Sequence, residues 1–546
     1  MRGEYASQIF MEGLIMAPKV LVSDKLSETA VKIFRDNGIE VDFLPDVGKD
    51  KLELLKIIGK YDGLAIRSAT KATEKIINNA ENLKVIGRAG IGVDNVDLAA
   101  ASRKGVIVMN TPFGNSITTA EHAISLMMAV ARQIPAASVS TQAGKWEKSR
   151  FMGVELTNKS LGLIGCGNIG TIVADRAKGL KMKVLAYDPF LSEERAVKLG
   201  VTKVALGELF QKADFITLHV PLTDKTRKII DSDAIALMKP GVRIINCARG
   251  GLVDETALAE AMKTGQVAGA GFDVFEIEPA IDSPLFNLPN VVCTPHLGAA
   301  TTEAQENVAI QVAEQMSDYL LNGAVTNAIN MPSITAQEAP ILAPFIKLAT
   351  HLGAFVGQMT DEPIKAINIL YDGEVAEMNT AALNSACIAG LMQAANPEVN
   401  MVSAPVLAKE RGVKISTTTQ AKSGVFESYI KLTVVTDTTE RSIAGTVFSD
   451  KKPRFIQIKN INIDAEIGRH MVYTTNKDVP GIIGALGATL GNNDINIANF
   501  TLGRADVGGD AIALLYVDHP ITENVIEQLR ATDKFNQIKP LVFDVA

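Results

Sequence analysis

Short runs of aliphatic and β-branched residues alternate with amphipathic segments along the first part of the chain. KVLVS, beginning at Lys19, is followed by GIEVDFL, GLAIRS, LKVIGRA and VIVMN, with stretches of helical period such as SETAVKIFRDNG between them. This alternation predicts βαβ units around a parallel sheet as far as about Asn110. AEHAISLMMAVARQI, from Ala120 to Ile134, places apolar residues at helical spacing and stops before Pro135, as a buried helix does. From Lys159 the alternation restarts with LGLIG, KVLAYD, FITLHV, VRIINCA, GAGFDVF and VVCTPH, which predicts a second doubly wound parallel sheet. Thr301 to Leu321 reads as a long amphipathic helix, and Gly323 to Pro332 as a linker.

Beyond Pro332 the texture changes. Two helical stretches, ILAPFIKLATHLGAFVGQM and MNTAALNSACIAGLMQAA, precede the alternating strands ESYIKLTVVTD and RSIAGTVFSD, an order expected of an α+β domain. The last stretch runs strand MVYTT, helix GIIGALGATLGNN, strands INIANFTLG and AIALLYVD, helix TENVIEQLRAT and strand QIKPLVFDV. That βαββαβ order is the ferredoxin-like pattern. The fold class is therefore α/β: two doubly wound parallel-sheet domains, Rossmann-like and flavodoxin-like, plus an α+β domain and a ferredoxin-like domain.

Length agrees with several units, since 546 residues exceed one hydrophobic core at roughly 100–200 residues per domain. A net charge of −7 offers no general attraction to phosphate backbones or anionic lipid, so neither nucleic acid nor a membrane surface is an expected partner. Cys166, Cys247, Cys293 and Cys387 lie far apart, with neither a disulfide framework nor zinc-ligand spacing; no metal is expected, and a reducing cytoplasm fits best. Glu4 and Glu12 interrupt any apolar run that a secretory signal requires, and the first sixteen residues are expected to be a disordered extension. No other stretch approaches the ~18 uninterrupted apolar residues of a membrane span.

The candidate chemistry begins at LGLIGCGNIG, where Gly165, Gly167 and Gly170 follow a strand-like run and precede the helical TIVADRAKGL. In a dinucleotide-binding turn the first glycine permits the tight bend, the second lets backbone approach the pyrophosphate, and the third allows close helix packing. Amides at the helix start bind the anion. Asp188 closes the next strand eighteen residues after Gly170, near the roughly 20 that such a fold expects. A carboxylate there accepts hydrogen bonds from ribose hydroxyls and repels a 2′-phosphate, which favours NAD over NADP.

Three polar groups follow strand-like runs of this second sheet: Arg249 after VRIINCA, Glu278 after GFDVF and His296 after VVCTP. Strand carboxyl ends border the crevice where ligands bind in such sheets. The Arg249 fork suits a carboxylate and an adjacent carbonyl oxygen, His296 can take a proton from an alcohol, and Glu278 would favour the imidazolium and orient the ring. His219, inside FITLHV, and His122, within the buried helix, read as structural. His351, His470 and His519 have no partner pattern.

LGLIGCGNIG, INCARGGLVDETAL, GFDVFEIEP and TPHLGAATTEAQ resemble the signatures of the D-2-hydroxyacid dehydrogenases. The resemblance implies Arg249, Glu278 and His296 as the catalytic set, with His296 as general acid/base. It implies cofactor contacts at Gly165, Gly167, Asn168, Ile169, Gly170, Asp188, Cys247, Ala248, Arg249, Asp273, His296 and Gly298. It also implies a split layout, with a substrate-binding domain from 17–112 and 301–330 and an NAD-binding Rossmann domain from 113–300.

Within that family GLAIRSATKATEKII, GRAGIGVDNVDLAAASRKGVIVMNTPFGNS and GKWEKSRFMG look like the phosphoglycerate dehydrogenase branch, and a phosphorylated hydroxyacid needs cations remote from the carboxylate clamp. Arg67, Arg88, Lys145, Lys148 and Arg150 are available. The branch places Arg67 and Arg88 at the substrate, and takes the segment around Trp146 from a partner subunit of a homo-oligomer, dimer or tetramer. KWEKSR reads equally well as a solvated charged loop. The resemblance extends to an intervening domain at 331–465 and to an ACT domain, a small-molecule sensor, at 466–546. Positions Asn476, Asp478 and Asn496 match the branch's L-serine effector site. Some members carry His or Asn where this chain has Asn476 or Asp478, so the effector stays open.

The activity implied is NAD-dependent oxidation of 3-phospho-D-glycerate to 3-phosphohydroxypyruvate, the first step of serine synthesis. An unphosphorylated 2-hydroxyacid such as glycerate, glyoxylate or 2-hydroxyglutarate is the alternative substrate. A non-catalytic NADH-sensing scaffold is the alternative class.

Overall fold

In the computed structural model, residues 17–335, 337–421 and 427–545 are described; the expectation for the first sixteen residues lies outside them. The wholly apolar strands are buried on both faces, as strands of a parallel sheet sheathed by helices must be. Strands β1 (Lys19–Val22), β2 (Glu40–Phe43), β3 (Gly63–Ile66), β4 (Val85–Arg88) and β5 (Ile107–Met109) form the first sheet in the order β2-β1-β3-β4-β5. All its pairings are parallel, which is the flavodoxin-like arrangement.

The second sheet comprises β6 (Ser160–Ile164), β7 (Lys183–Tyr187), β8 (Thr202–Lys203), β9 (Phe215–Leu218), β10 (Val242–Asn246), β11 (Val267–Phe272) and β12 (Val291–Cys293). Its order is β12-β11-β10-β9-β6-β7-β8, again parallel throughout. The order reverses between β6 and β9, so the turn after β6 opens the crevice where a Rossmann sheet holds its dinucleotide. Helix α1 (Ser116–Arg132) covers β10 and β11: a Cβ at Gly271 would lie 3.3 Å from both Leu126 and Val130. Helix α2 (Asn168–Gly179) follows β6 and packs against α1.

Helix α3 (Thr302–Asn322), capped by the Thr301 hydroxyl, returns the chain to the first sheet, where Val308, Val312 and Met316 share a core with Val20, Ala65 and Val85. The segment read as a linker, 323–332, is instead strapped to the sheet edge. Ala328 bridges Met109, and Asn330 accepts from the Val108 amide at 2.9 Å while donating to the Val106 carbonyl at 2.9 Å. Asparagine amides replacing a missing strand partner carry no hydrophobic period, which is why the pattern does not reveal them.

In the third sheet β13 (Ala366–Gly373), β14 (Lys414–Gln420), β15 (Ser428–Val435), β16 (Glu440–Val447), β17 (Pro453–Ile458) and β18 (Ile461–Glu466) run in the order β14-β13-β15-β16-β17-β18. The hydrophobic pattern misses β14 because KISTTTQ is an exposed edge with no buried face to impose alternation. Helices α4 (Ala339–Gln358) and α5 (Thr380–Gln393) pack so closely that a Cβ on Gly353 would stand 2.1 Å from the Cys387 carbonyl. By length and composition alone α4 is apolar enough to cross a membrane, but Lys347 and His351 interrupt its apolar run, as the sequence reading has it, and it contributes to the core formed with α5 and the third sheet.

The fourth sheet, β19 (His470–Lys477), β20 (Ile497–Arg504), β21 (Asp510–Val517) and β22 (Gln537–Val542), is antiparallel between neighbours in the order β20-β21-β19-β22. Helices α6 (Ile482–Gly491) and α7 (Glu523–Arg530) complete the ferredoxin-like βαββαβ unit. Aromatic edges join it to α4: Tyr473 meets Phe355 at 5.5 Å between centroids, and Phe543 meets His351 at 5.7 Å.

Candidate active site

The turn after β6 needs its glycines. Gly165 has φ +95, and a Cβ there would lie 2.5 Å from the His219 carbonyl; one on Gly170 would lie 2.1 Å from the Gly165 carbonyl. At Gly167 a Cβ would meet nothing within 4 Å, so the turn presents bare backbone there. Asn168 and Ile169 open α2, whose first amides have no carbonyl one turn back to bind. Asp188, past the end of β7, accepts from the Cys166 amide at 2.8 Å and from the Phe190 amide at 2.8 Å, which fixes its carboxylate beside the glycine turn. Bare glycine backbone, free helix amides and a strand-end carboxylate fit a dinucleotide. Cys247 is buried and Ala248 partly so, both on the loop after β10.

Glu278 and His296 meet as expected, with Nδ1 of His296 2.8 Å from Oε2 of Glu278. The hydrogen bond to Glu278 is the largest influence on His296 and raises its pKa, against burial. Burial pushes the Glu278 carboxyl upward, but hydrogen bonds from His296 and the Phe275 amide outweigh it and leave the group below its ordinary value. His296 is held at φ +56, a left-handed backbone uncommon for a non-glycine residue.

What maintains that turn is Asp273, which has no exposed surface. Its carboxylate accepts from the amides of Leu297 (2.7 Å) and Gly298 (2.8 Å) and from the Thr294 hydroxyl (2.6 Å), while its carbonyl accepts from the His296 amide (2.9 Å). His122, read as merely structural, completes the brace with Nε2 3.1 Å from Asp273 Oδ1. Asp273, predicted to contact the cofactor, thus spends its carboxylate holding the catalytic loop. Single-residue patterns do not disclose the pairing, because 151 positions separate its partners.

A cleft of about 770 Å³ lies between the two parallel sheets, lined by His296, Glu278 and Asp273 on one side and by Arg67, Ser68, Lys71 and Arg88 on the other. The two predicted arginines are therefore brought to the acid–base pair, and Ser68 and Lys71 join them. Burial lowers Arg88 to about 10, with the nearby charge of Arg249 adding to the effect, and its Nε has no hydrogen-bond partner among the described residues. Arg67 sits on a turn tied to Asp24, a buried carboxylate that accepts from the amides of Arg67 (2.6 Å) and Thr70 (3.1 Å). Asp24 follows the end of β1, and a polar residue just past a strand end is the available signal for it. Arg249 leaves the loop after β10 and donates from Nε to Asp94 at 3.2 Å.

The remaining sequence readings concern groups outside this cleft. Lys145, Lys148 and Arg150 do not line this cleft; Arg150 pairs with Glu147 at 3.0 Å, beside a largely exposed Trp146. His219 is structural, as its place in FITLHV predicts: it bonds Thr217 at 2.9 Å, and burial lowers it to about 3. The effector trio does not converge within one chain. Asn476 lies opposite Ala511, and Asp478 follows just beyond it, whereas Asn496 precedes Ile497, opposite Val517. Six residues of β21 separate these ends, about 20 Å. β19 and β20 run the same way with α6 returning the chain between them, so the end of one strand and the start of the next fall at opposite ends of the sheet. Asn496 bonds Asp518 and Asp478 bonds Arg504, each at 2.9 Å.

The model of the D-isomer specific 2-hydroxyacid dehydrogenase NAD binding domain matches residues 124–298, that of the D-3-phosphoglycerate dehydrogenase intervening domain 341–459, and that of the ACT domain 470–533. Fold and site together define a D-isomer specific 2-hydroxyacid dehydrogenase carrying its NAD-binding domain. The D-3-phosphoglycerate dehydrogenase of Synechocystis sp. is 44% identical over 513 residues, 94% of this chain and 92% of that protein. That of Bacillus subtilis is 40% identical over 512 residues, 94% of this chain and 97% of its own. This chain belongs to the D-3-phosphoglycerate dehydrogenase family. Among solved structures, a glyoxylate reductase from Paecilomyes thermophila superposes with TM-score 0.54 at 29% identity, covering 57% of this chain and 98% of that one.

Proposed function

We propose that the protein oxidises 3-phospho-D-glycerate to 3-phosphohydroxypyruvate with NAD, the reaction that opens L-serine synthesis. The observation that carries this reading is a half-buried arginine, Arg88, whose Nε is buried without a hydrogen-bond partner among the described residues, sharing one cleft with Arg67, Lys71 and the His296–Glu278 pair. A desolvated cation with incomplete hydrogen bonding is costly, and an anionic ligand relieves that cost. A substrate with anions at both ends uses Arg67 and Arg88 at one and Arg249 at the other.

Bound NAD supplies the hydride acceptor. Neutral His296 donates from Nδ1–H to Glu278, which leaves the Nε2 lone pair free to take the substrate hydroxyl proton; the imidazolium so formed is what Glu278 favours. Arg249 orients the carboxylate and the oxygen that becomes the ketone. Steady-state turnover of phosphoglycerate against glycerate, with glyoxylate and 2-hydroxyglutarate in the matching directions, tests the reading; preference for an unphosphorylated acid overturns it.

Two further parts belong to the same reading. Val139, Trp146 and Met152, 71%, 87% and 77% exposed, lie on the helix and loop that follow α1 and suit burial by a second copy of the chain; light scattering reads the mass. An effector of the ACT unit, with L-serine the first to try, acts through residues at both ends of the fourth sheet, and turnover with and without serine tests it. Four free thiols suit a cytoplasmic setting.

A further inference from the structure

Arg249 is held from two sides. Its Nη1 donates to its neighbour's carbonyl, Ala248 O, at 2.6 Å, and its Nε donates to Asp94 Oδ2 at 3.2 Å. Asp94 belongs to the domain of the first sheet, on the loop GRAGIGVDN that leaves β4. The same loop makes the space: a Cβ on Gly92 would stand 2.0 Å from Arg249 Nη2 and 2.8 Å from Asp94 Oδ2. We infer that Asp94 and Gly92 are positioning residues that hold the Arg249 guanidinium in register for a substrate carboxylate, so that the clamp is assembled from both sheets.

Stability does not account for the pair. The side chains of Asp94 and Arg249 are 77% and 30% exposed, and a solvent-facing ion pair contributes little to folding. What it changes is geometry. An arginine side chain loses several free rotations when it grips a ligand, and two acceptors at Nε and Nη1 remove most of that freedom beforehand while leaving the Nη2 hydrogens for the ligand.

The holder is itself fixed. Asn95 donates to the carbonyls of Arg67 and Thr70 at 2.6 Å each, and Asn110 donates to Ile91 O at 2.6 Å. One anchored loop therefore sets Arg249 through Asp94 and the Arg67 turn through Asn95, the two ends of the proposed substrate. Widening of the cleft would draw Asp94 away from Arg249, so the grip on the carboxylate depends on the two sheets standing together.

The inference rests on the proposed role of Arg249 as carboxylate ligand, and its test separates the two. Asp94→Asn, Asp94→Ala and Asp94→Glu are compared in the full chain for KM, kcat, NADH affinity by fluorescence titration, and melting temperature. Asn and Ala are expected to raise KM about tenfold with a smaller fall in kcat, unchanged NADH affinity and unchanged melting, while Glu largely restores KM. In an Arg249→Lys background the Asp94→Asn change is expected to add nothing. Because the carboxylate is common to every 2-hydroxyacid, the KM effect appears on whichever acid the wild type prefers; a preference for glycerate would sink the phosphoglycerate reading and leave Asp94 standing. A KM within twofold of wild type, or one that falls because Asp94 competes with the substrate, overturns the inference.

Discussion

Gly90 leaves the space that Arg88 occupies: a Cβ at position 90 would stand 1.5 Å from Arg88 Nη1, and the glycine itself has φ +144. The cation central to the proposed specificity thus depends on a neighbour that has no side chain.

Gly90→Ala forces Arg88 out of its place and strains the backbone. KM for phosphoglycerate is expected to rise tenfold or more with NADH binding retained, as read by steady-state kinetics beside fluorescence titration. A wild-type KM would mean that Arg88 does not hold the substrate.

Removing the cations directly separates the two substrate classes. Hydrogen bonds to charged groups contribute roughly 1.5–3 kcal/mol, so Arg88→Ala or Arg67→Ala is expected to lower kcat/KM for phosphoglycerate about 10- to 100-fold and to leave glycerate turnover nearly unchanged. Equal losses on both acids would contradict a phosphate-binding role.

The pH profile reports the His296–Glu278 pair. Glu278 raises the histidine, and oxidation needs the neutral ring, so wild-type oxidation is expected to rise with pH through a value above 6.5. Glu278→Gln removes the charge that favours imidazolium, and the rise moves to lower pH; reduction, which needs the imidazolium, falls through the same lowered value. An unmoved profile would disconnect Glu278 from the titrating group.

Asp273→Ala strands the amides of Leu297 and Gly298 beside His296. The Gly298 amide is buried and the Leu297 amide partly so; a buried orphan costs roughly 1–3 kcal/mol, so calorimetry is expected to show a lowered melting temperature, and kcat falls as the catalytic turn loosens. Unchanged melting would deny the brace.

Asp188→Ala is expected to weaken NAD and admit NADP, narrowing the ratio of kcat/KM for the two cofactors by at least about tenfold. The comparison needs only the two nucleotides and one substrate; a ratio that holds would place nucleotide selection elsewhere.

Much of the site is legible in the sequence because its signals are local. The glycine turn, Asp188 and the trio Arg249, Glu278 and His296 all follow strand-like runs, and a residue just past a strand end in a doubly wound sheet faces the crevice whatever the rest of the chain does. His122 marks the opposite limit: a histidine in an apolar helix looks the same whether its ring fills a core or braces a loop. The serine-site residues do not meet within one chain for a third reason. Asn476 and Asp478 stay together at the end of β19, but the crossover through α6 delivers Asn496 to the far end of the fourth sheet.

By itself the sequence determined the two parallel sheets, the ferredoxin-like tail, the nucleotide turn and the candidate acid–base pair. Periodicity and turn chemistry act over a few residues, and they suffice to set which way a side chain leaves its own strand. Only the tertiary structure decided which distant groups meet: Asp94 with Arg249, His122 with Asp273, Arg88 in the gap left by Gly90, and Asn330 along the edge of the first sheet. Those contacts follow from how two sheets pack across a cleft, and no short stretch of chain encodes the distance between two sheets.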